Sequence, residues 1–381
     1  MRRLYWRPRA VSQSVLVLIC IFSLGGLLAV RSFETTVKTP YFDKKIAAAE
    51  LARDAMDAIK QERLRRGFSI DPSIDPSRSG MIGEAMSDVT SVPGHLPSKQ
   101  TSINPNFAAV VVDMLTRAGV REGDFVAVGF SGSFPALNTC VLAALKTLNL
   151  QPVIISSASA SQFGANMNDF IWLEMERVLY EREIMPFRSA AASLGGMDDE
   201  GGGLSEGGAK ILKNHILENQ IPLIEPNSFT ESLDSRMNIY RERSGEDNIA
   251  AYINVGGGTV SVGRSAGKKA FRPGLNMGAS HHALSIDSVM SRFARNGIPI
   301  VHMSSVMDIA EDYGLPPIPT QLPEPGEGGV YVRREPSKLF ALAVLAAIFF
   351  SLYVFVLSDL GFRILTTSSR KKEMSSPEPM I

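Results

Sequence analysis

The sequence predicts an α/β domain with a mainly parallel sheet and helices on both faces, flanked by two transmembrane helices. Three observations lead there. Strand-like and helix-like stretches alternate through most of the chain, a strand–loop–helix–strand unit stands near its middle, and two uncharged apolar runs lie near its ends. With 381 residues, 45% of them hydrophobic and 20% charged, the chain is too long for one compact core and too apolar for disorder.

The apolar runs at 11–30 and 339–357 each approach the ~20 residues a membrane helix needs. No small-residue cleavage signal precedes Arg31, and Ile19 stands where a lipoprotein signal ahead of Cys20 needs a small residue, so a retained anchor is expected. Arg2, Arg3, Arg7 and Arg9 precede the first run, and Arg363, Arg370, Lys371 and Lys372 follow the second. This bias puts the tails 1–10 and 358–381 in the cytoplasm and the long middle segment outside the cell membrane. An extracytoplasmic domain meets little ATP or reduced nicotinamide, and no cofactor is expected. Cys140 is the one cysteine outside the apolar runs, so the domain is held by its core without an internal disulfide. Between 31 and 338, 31 basic residues stand against 36 acidic ones, a net acidic balance that argues against a nucleic-acid partner.

Residues 31–68 read as a stalk helix, with Asp43 as its cap, Gly67 as its stop and Arg63, Arg65 and Arg66 in its last turn. Ile46, Leu51, Ala55, Ala58 and Ile59 give it a weak apolar stripe, suited to packing on its own domain more than on a second copy. Residues 69–105, rich in Pro, Ser, Gly and Asp, read as a turn-rich connector. The α/β domain is expected over 106–320. Asn104 or Asn106 caps a helix at 107–117, and the central unit follows: strand 125–128, loop Gly129–Ser133, helix 135–148 and strand 152–156. Helices are expected at 170–183, 210–218, 229–240, 283–295 and 304–313, with strands at 221–224, 250–255, 259–263 and 299–301. Gly256, Gly257 and Gly258 read as the turn of a hairpin between two of those strands. Residues 321–338 form a linker to the second span.

Ligand sites in such sheets lie where strands end and helices begin, which makes Gly129-Phe-Ser-Gly-Ser133 the first candidate. It has the strand-to-helix setting of a nucleophile elbow, with Ser131 at the nucleophile position and Ser133 where glycine is usual. His215, His281, His282 and His302 are the later residues that can supply a base. The bland reading is a tight turn whose groups Gly129, Ser131, Gly132, Ser133 and Asn138 cap a helix or hold an anion. Gly256, Gly257, Gly258 and Thr259 resemble the phosphate hairpin of actin-like ATPases over about ten residues, but Asn254 replaces the expected acid. A plain turn explains them as well. Asp198, Asp199 and Glu200 are weak candidates for a cation, lacking the alternation of a calcium loop, and His281 and His282 are adjacent without zinc spacing. No metal is expected, and the loop Ser193–Gly208 reads as solvated. Arg264, Lys268, Lys269 and Arg272 form a cationic patch with no acid between Ser261 and Ser280, a place for an anionic polymer or lipid headgroup.

Four stretches, SGMIGEAMSDVTSVPGHLPSKQTSINPNFAAVVVDML, GFSGSFPALN, SLGGMDDEGGGLSEGG and INVGGGTVSVG, occur in this order between the apolar runs. Together they resemble the bacterial poly-gamma-glutamate system protein family over nearly the whole extracytoplasmic region. The resemblance implies an accessory membrane protein of poly-gamma-glutamate biosynthesis or export, with the synthase and export subunits, the polymer and the lipid bilayer as partners. It transfers no catalytic residues. Two other readings stay open: an extracytoplasmic serine hydrolase cutting an amide or ester through Ser131, and a purely structural assembly factor.

Overall fold

The computed structural model describes residues 13–245 and 249–357, so the expected cytoplasmic tails at 1–10 and 358–381 lie outside the described residues. The chain forms two compact units, one over 38–331 and one from the segments to either side of it.

Unit 38–331 is built on a seven-stranded sheet. Its strands are β1 (Phe125–Ser131), β2 (Gln151–Ser157), β3 (Ala191–Ser193), β4 (Leu223–Ile224), β5 (Ile249–Val255), β6 (Gly274–Asn276) and β7 (Ile300–Met303). They lie in the order β6-β7-β5-β1-β2-β3-β4. Every neighbouring pair is parallel except β6 with β7. The fold is therefore α/β with a mostly parallel sheet. Strands covered on both faces need apolar residues at every position rather than every second one, and β1 shows why its run is continuous. Val126 and Val128 enter the core on one face, while Ala127 enters the core on the other. The first face is covered by helices Phe42–Arg65, Phe107–Arg117, Pro135–Thr147 and Trp172–Glu181, the second by Phe229–Ser244 and Val289–Arg295.

The order reverses beside β1. From β1 the chain steps outward through β2 and β3 to β4, then returns to lay β5 on the opposite side of β1. Crossover connections leave β1 and β5 in opposite directions, so a crevice opens between their C-terminal ends.

Several expectations change. The helix expected as a stalk, Phe42–Arg65, packs on its own domain, the use its apolar stripe favoured, and does so as part of the core: Ala48, Ala49, Ala52, Ala55, Met56 and Ile59 are buried there. Alanine is too small to make an obvious apolar stripe, yet it lets a helix approach its neighbours closely, which is why the stripe reads as weak. The stretch expected as a connector is also folded onto the core, through strand Thr90–Val92, helix Leu96–Ser102 and the buried Met81, Ile82 and Ile103. Gly256–Gly258 does not join two strands. Gly256, at φ 87°, turns the chain out of β5 into a short helix, Thr259–Val262. The β-branched residues there suggest a strand, and their tertiary setting overrides that preference. The helix expected at 283–295 is two, His281–Ser285 and Val289–Arg295, each started by a serine whose Oγ accepts an amide, Ser280 from Ala283 N and Ser288 from Ser291 N, both at 3.1 Å.

The domain's first and last residues meet. Thr39 N donates to the Tyr331 carbonyl at 2.9 Å, and Thr39 Oγ1 donates to the Val330 carbonyl at 2.7 Å. The buried Lys45 ammonium joins them, reaching Thr39 Oγ1 at 2.9 Å, Val330 O at 3.1 Å and the Asp113 carboxylate at 2.8 Å.

In the other unit, helices Gln13–Ser32 and Lys338–Leu357 pack on each other, and strands Glu34–Lys38 and Val332–Pro336 pair as a ribbon. Gly26 lets the helices approach, since a Cβ there would come within 2.6 Å of Val344 Cγ1. The Phe33 and Phe340 rings meet at a tilt of 54° with centroids 4.9 Å apart. Among the described residues no helix is long and apolar enough to cross a membrane. The described side chains of these two helices cover 17–32 and 338–354.

Candidate functional site

The crevice between β1 and β5 is a cleft of about 540 Å³. Its walls are mostly hydroxyls and glycines: Ser131 and Ser133 after β1, Ser157, Ser159 and Ser161 after β2, and Gly257, Gly258 and Thr259 after β5. Small residues are needed because three loops cross within van der Waals distance. A Cβ on Gly132 would stand 2.8 Å from the Ser159 carbonyl oxygen, and one on Gly129 would stand 2.5 Å from Tyr252 Oη. Gly129 and Gly132 thus serve packing. Ser131, Ser133, Gly257, Gly258 and Thr259 line the opening, and Gly256 lies against Ser131, with a Cβ there reaching Ser131 Cβ at 3.2 Å.

The loop after β1 is stitched by its own side chains. Ser131 Oγ accepts from Ser133 N at 3.2 Å, and the buried Asn138 donates through Nδ2 to the Ser131 carbonyl at 2.9 Å. Asn138 Oδ1 is buried without a hydrogen-bond partner among the described residues. The histidines expected as bases for Ser131 are placed elsewhere. His215 Nε2 bonds the Asn168 carbonyl at 2.7 Å, and His302 Nδ1 meets Asn254 Nδ2 at 3.0 Å. His302 is pushed down to about 4 by burial and is neutral. His281 and His282 are exposed in their short helix.

Sequence reasoning missed Lys99. Helix Leu96–Ser102 carries it into the back of the cleft, where its side chain is buried. Nζ lies 2.9 Å from Ser161 Oγ, donates to the Ser133 carbonyl, and sits 3.7 Å from the Phe134 ring centroid. No carboxylate among the described residues pairs with it, and burial pushes its pKa down to about 7. Ser133 Oγ in turn accepts from Ser161 N at 3.0 Å, which fixes the two serine loops together. The available signal was a lone lysine in the polar run Ser98-Lys-Gln-Thr-Ser102, which lacks any acid to balance it.

The glycine-rich loop is anchored instead of solvated. Asp199 is buried and binds Arg236, with Nη2 to Oδ2 at 2.8 Å, while Ser193 Oγ and Ser232 Oγ donate to the same carboxylate at 2.6 and 2.5 Å. Arg236 stays above its usual range: burial works against its charge and Asp199 more than offsets that. Asp198 turns the other way to Arg264 Nε at 2.7 Å, and Glu200 is exposed. The carboxylates of Asp198 and Asp199 are thus spent on separate arginines, and among the described residues no three metal-ligating side chains gather. Of the cationic patch, Arg264 is paired to Asp198 and lies over the Phe229 ring, Lys268 lines the cleft, and Lys269 and Arg272 are exposed.

No protein-family model, no curated protein and no solved structure matches this chain.

Proposed function

We propose that this protein is an accessory component of poly-gamma-glutamate production or export at the cell membrane, and that its domain takes the polymer's carboxylate-bearing chain at the cleft between β1 and β5. The observation that carries the reading is the lining of that cleft. Hydroxyls and glycine backbone offer hydrogen bonds to carboxylates and amides, Lys268 supplies a cation at the rim, and the one acid in the wall, Asp199, is already paired to Arg236. The resemblance of the four sequence stretches supplies the polymer's identity.

The membrane placement rests on the apolar runs of the sequence, and its orientation, with both termini cytoplasmic and the domain outside, on the cations that flank them. Leu18, Ile21, Leu24 and Leu28 on the first, and Leu339, Leu342, Phe349 and Phe350 on the second, are exposed large apolar side chains, a surface that lipid would cover. Each helix has 20 residues, or about 30 Å at ~1.5 Å per residue. The synthase and export subunits are the partners this placement allows.

Isothermal titration of γ-linked glutamate oligomers into the detergent-solubilised full chain tests the reading. Binding should be present at low salt, weaken as salt rises, and fall at least tenfold in Lys268→Glu. No heat at low salt would reject the cleft as the polymer's site.

A further inference from the structure

We infer that Ser161 is a nucleophile and Lys99 its general base, so that the cleft carries acyl-transfer chemistry on an amide or ester. The inference goes beyond the proposed polymer binding and does not depend on it.

Of the serines that line the cleft, Ser98 pairs with the exposed His95 and Ser157 faces Arg236, whereas Ser131, Ser133 and Ser161 form one linked group beside Lys99 whose partners separate them. Ser131 Oγ holds the turn by accepting from Ser133 N, and Ser133 Oγ accepts from Ser161 N. Of these three hydroxyls, only that of Ser161 lies against a basic nitrogen, 2.9 Å from Lys99 Nζ, and both residues line the cleft. A neutral amine has two donors and one lone pair. Here one N–H goes to the Ser133 carbonyl, leaving the lone pair to take the Ser161 proton.

The surroundings make that neutral form accessible near neutral pH. Lys99 is buried with no carboxylate to compensate a charge, the condition that brings a lysine into the range of a general base. The groups packed against it are the Ser133 carbonyl, the Phe134 ring and Ser161. Around the same cleft stand Lys268, the mutually paired Asp199 and Arg236, and His95, whose Nδ1 meets Ser98 Oγ at 2.9 Å. Once Nζ has taken the proton, the face of Phe134 at 3.7 Å meets the new ammonium, which stabilises the product of the transfer.

The step balances. Ser161 Oγ bonds to the substrate carbonyl carbon as its proton passes to Lys99 Nζ. The bond from that carbon to the leaving nitrogen or oxygen then breaks, and Lys99 returns the proton to the leaving group. Water attacks the resulting Ser161 ester, gives a proton to Lys99, and releases the acid; the proton ends on Ser161 Oγ.

A biotinylated fluorophosphonate, which captures activated serines, tests this on the detergent-solubilised full chain, with peptide mapping of the labelled residue. The expected result is a single adduct on Ser161 whose rate rises with pH about a midpoint near 7. Ser161→Ala should remove it, and Lys99→Met should slow it about 100-fold. Lys99→Arg, which keeps a charge and cannot act as a base, should be as slow as Lys99→Met. An unlabelled wild-type protein, or an adduct on another serine, overturns the inference. So does Lys99→Met labelling at the wild-type rate. The wild-type result stands even if a variant fails to fold. A protein that labels but binds no glutamate oligomer keeps this inference and loses the polymer reading; the reverse outcome separates them the other way.

Discussion

Arg236 and Lys99 are both buried basic side chains on the walls of one cleft, and the fold treats them in opposite ways. Arg236 receives a buried carboxylate and two serine hydroxyls, Ser193 and Ser157, so its charge is fixed and its role is to pin the glycine-rich loop through Asp199. Lys99 receives a carbonyl, a hydroxyl and an aromatic face but no carboxylate, so its charge is the variable. A buried cation with its counter-ion is architecture; one without it is a group whose proton is available at neutral pH.

The sharpest way to break this contrast is Asp199→Ala. It leaves Arg236 buried and uncompensated, and should destabilise the domain by about 3–5 kcal/mol, read from urea unfolding. A loss under about 1 kcal/mol would mean that Arg236 finds solvent and that the loop is not pinned.

The next effect is in pH dependence. The pKa of Lys99 is lowered from its ordinary 10.5 to about 7 in the folded state, so between those values the unfolded chain binds the extra proton. Stability should therefore rise with pH across this window by up to about 1.4 kcal/mol per unit, and be flat for this group above and below it. Lys99→Met should lack that slope. Parallel wild-type and variant curves would show Lys99 charged throughout, erasing its difference from Arg236.

The smallest effect concerns an acid treated as Arg236 is. Hydrogen bonding from Arg65, opposed by burial and aided by Arg66, holds Glu62 at about 2 against an ordinary 4.5. Its contribution is present above pH 4.5 and should fade as pH drops toward 2, with Glu62→Gln giving a shallower acid transition.

The sheet was legible where burial left a long mark. The stretches Phe125-Val-Ala-Val128 in β1, Val153-Ile-Ile155 in β2 and Ile249-Ala-Ala-Tyr-Ile253 in β5 are apolar at consecutive positions, and the long helices Phe107–Arg117 and Trp172–Glu181 set apolar residues at helical spacing. β3 was not legible, since Ala191-Ala-Ser193 has neither length nor β-branched residues and becomes a strand only because β2 and β4 flank it. The Ser131 loop could be placed at a strand end from the sequence, and it does line the cleft. Lys99 could not, because it arrives from a segment that composition marks as a connector, and its burial depends on packing that the spacing of residues does not encode. The same holds for Asp199 and Arg236, which are 37 residues apart. A glycine-rich acidic loop looks solvated until its one inward carboxylate has a partner.

The clasp at Thr39, Val330 and Tyr331 has a consequence for the chain as a polymer. A domain whose first residues donate hydrogen bonds to its last has already closed its own loop, so a short peptide joining them adds almost no entropic penalty. A circular permutant, opened in a surface turn and sealed at the clasp, should keep the sheet order and the cleft intact. By the same geometry the domain is a cassette whose entry and exit lie at one place, so it can be exchanged without rerouting the chain.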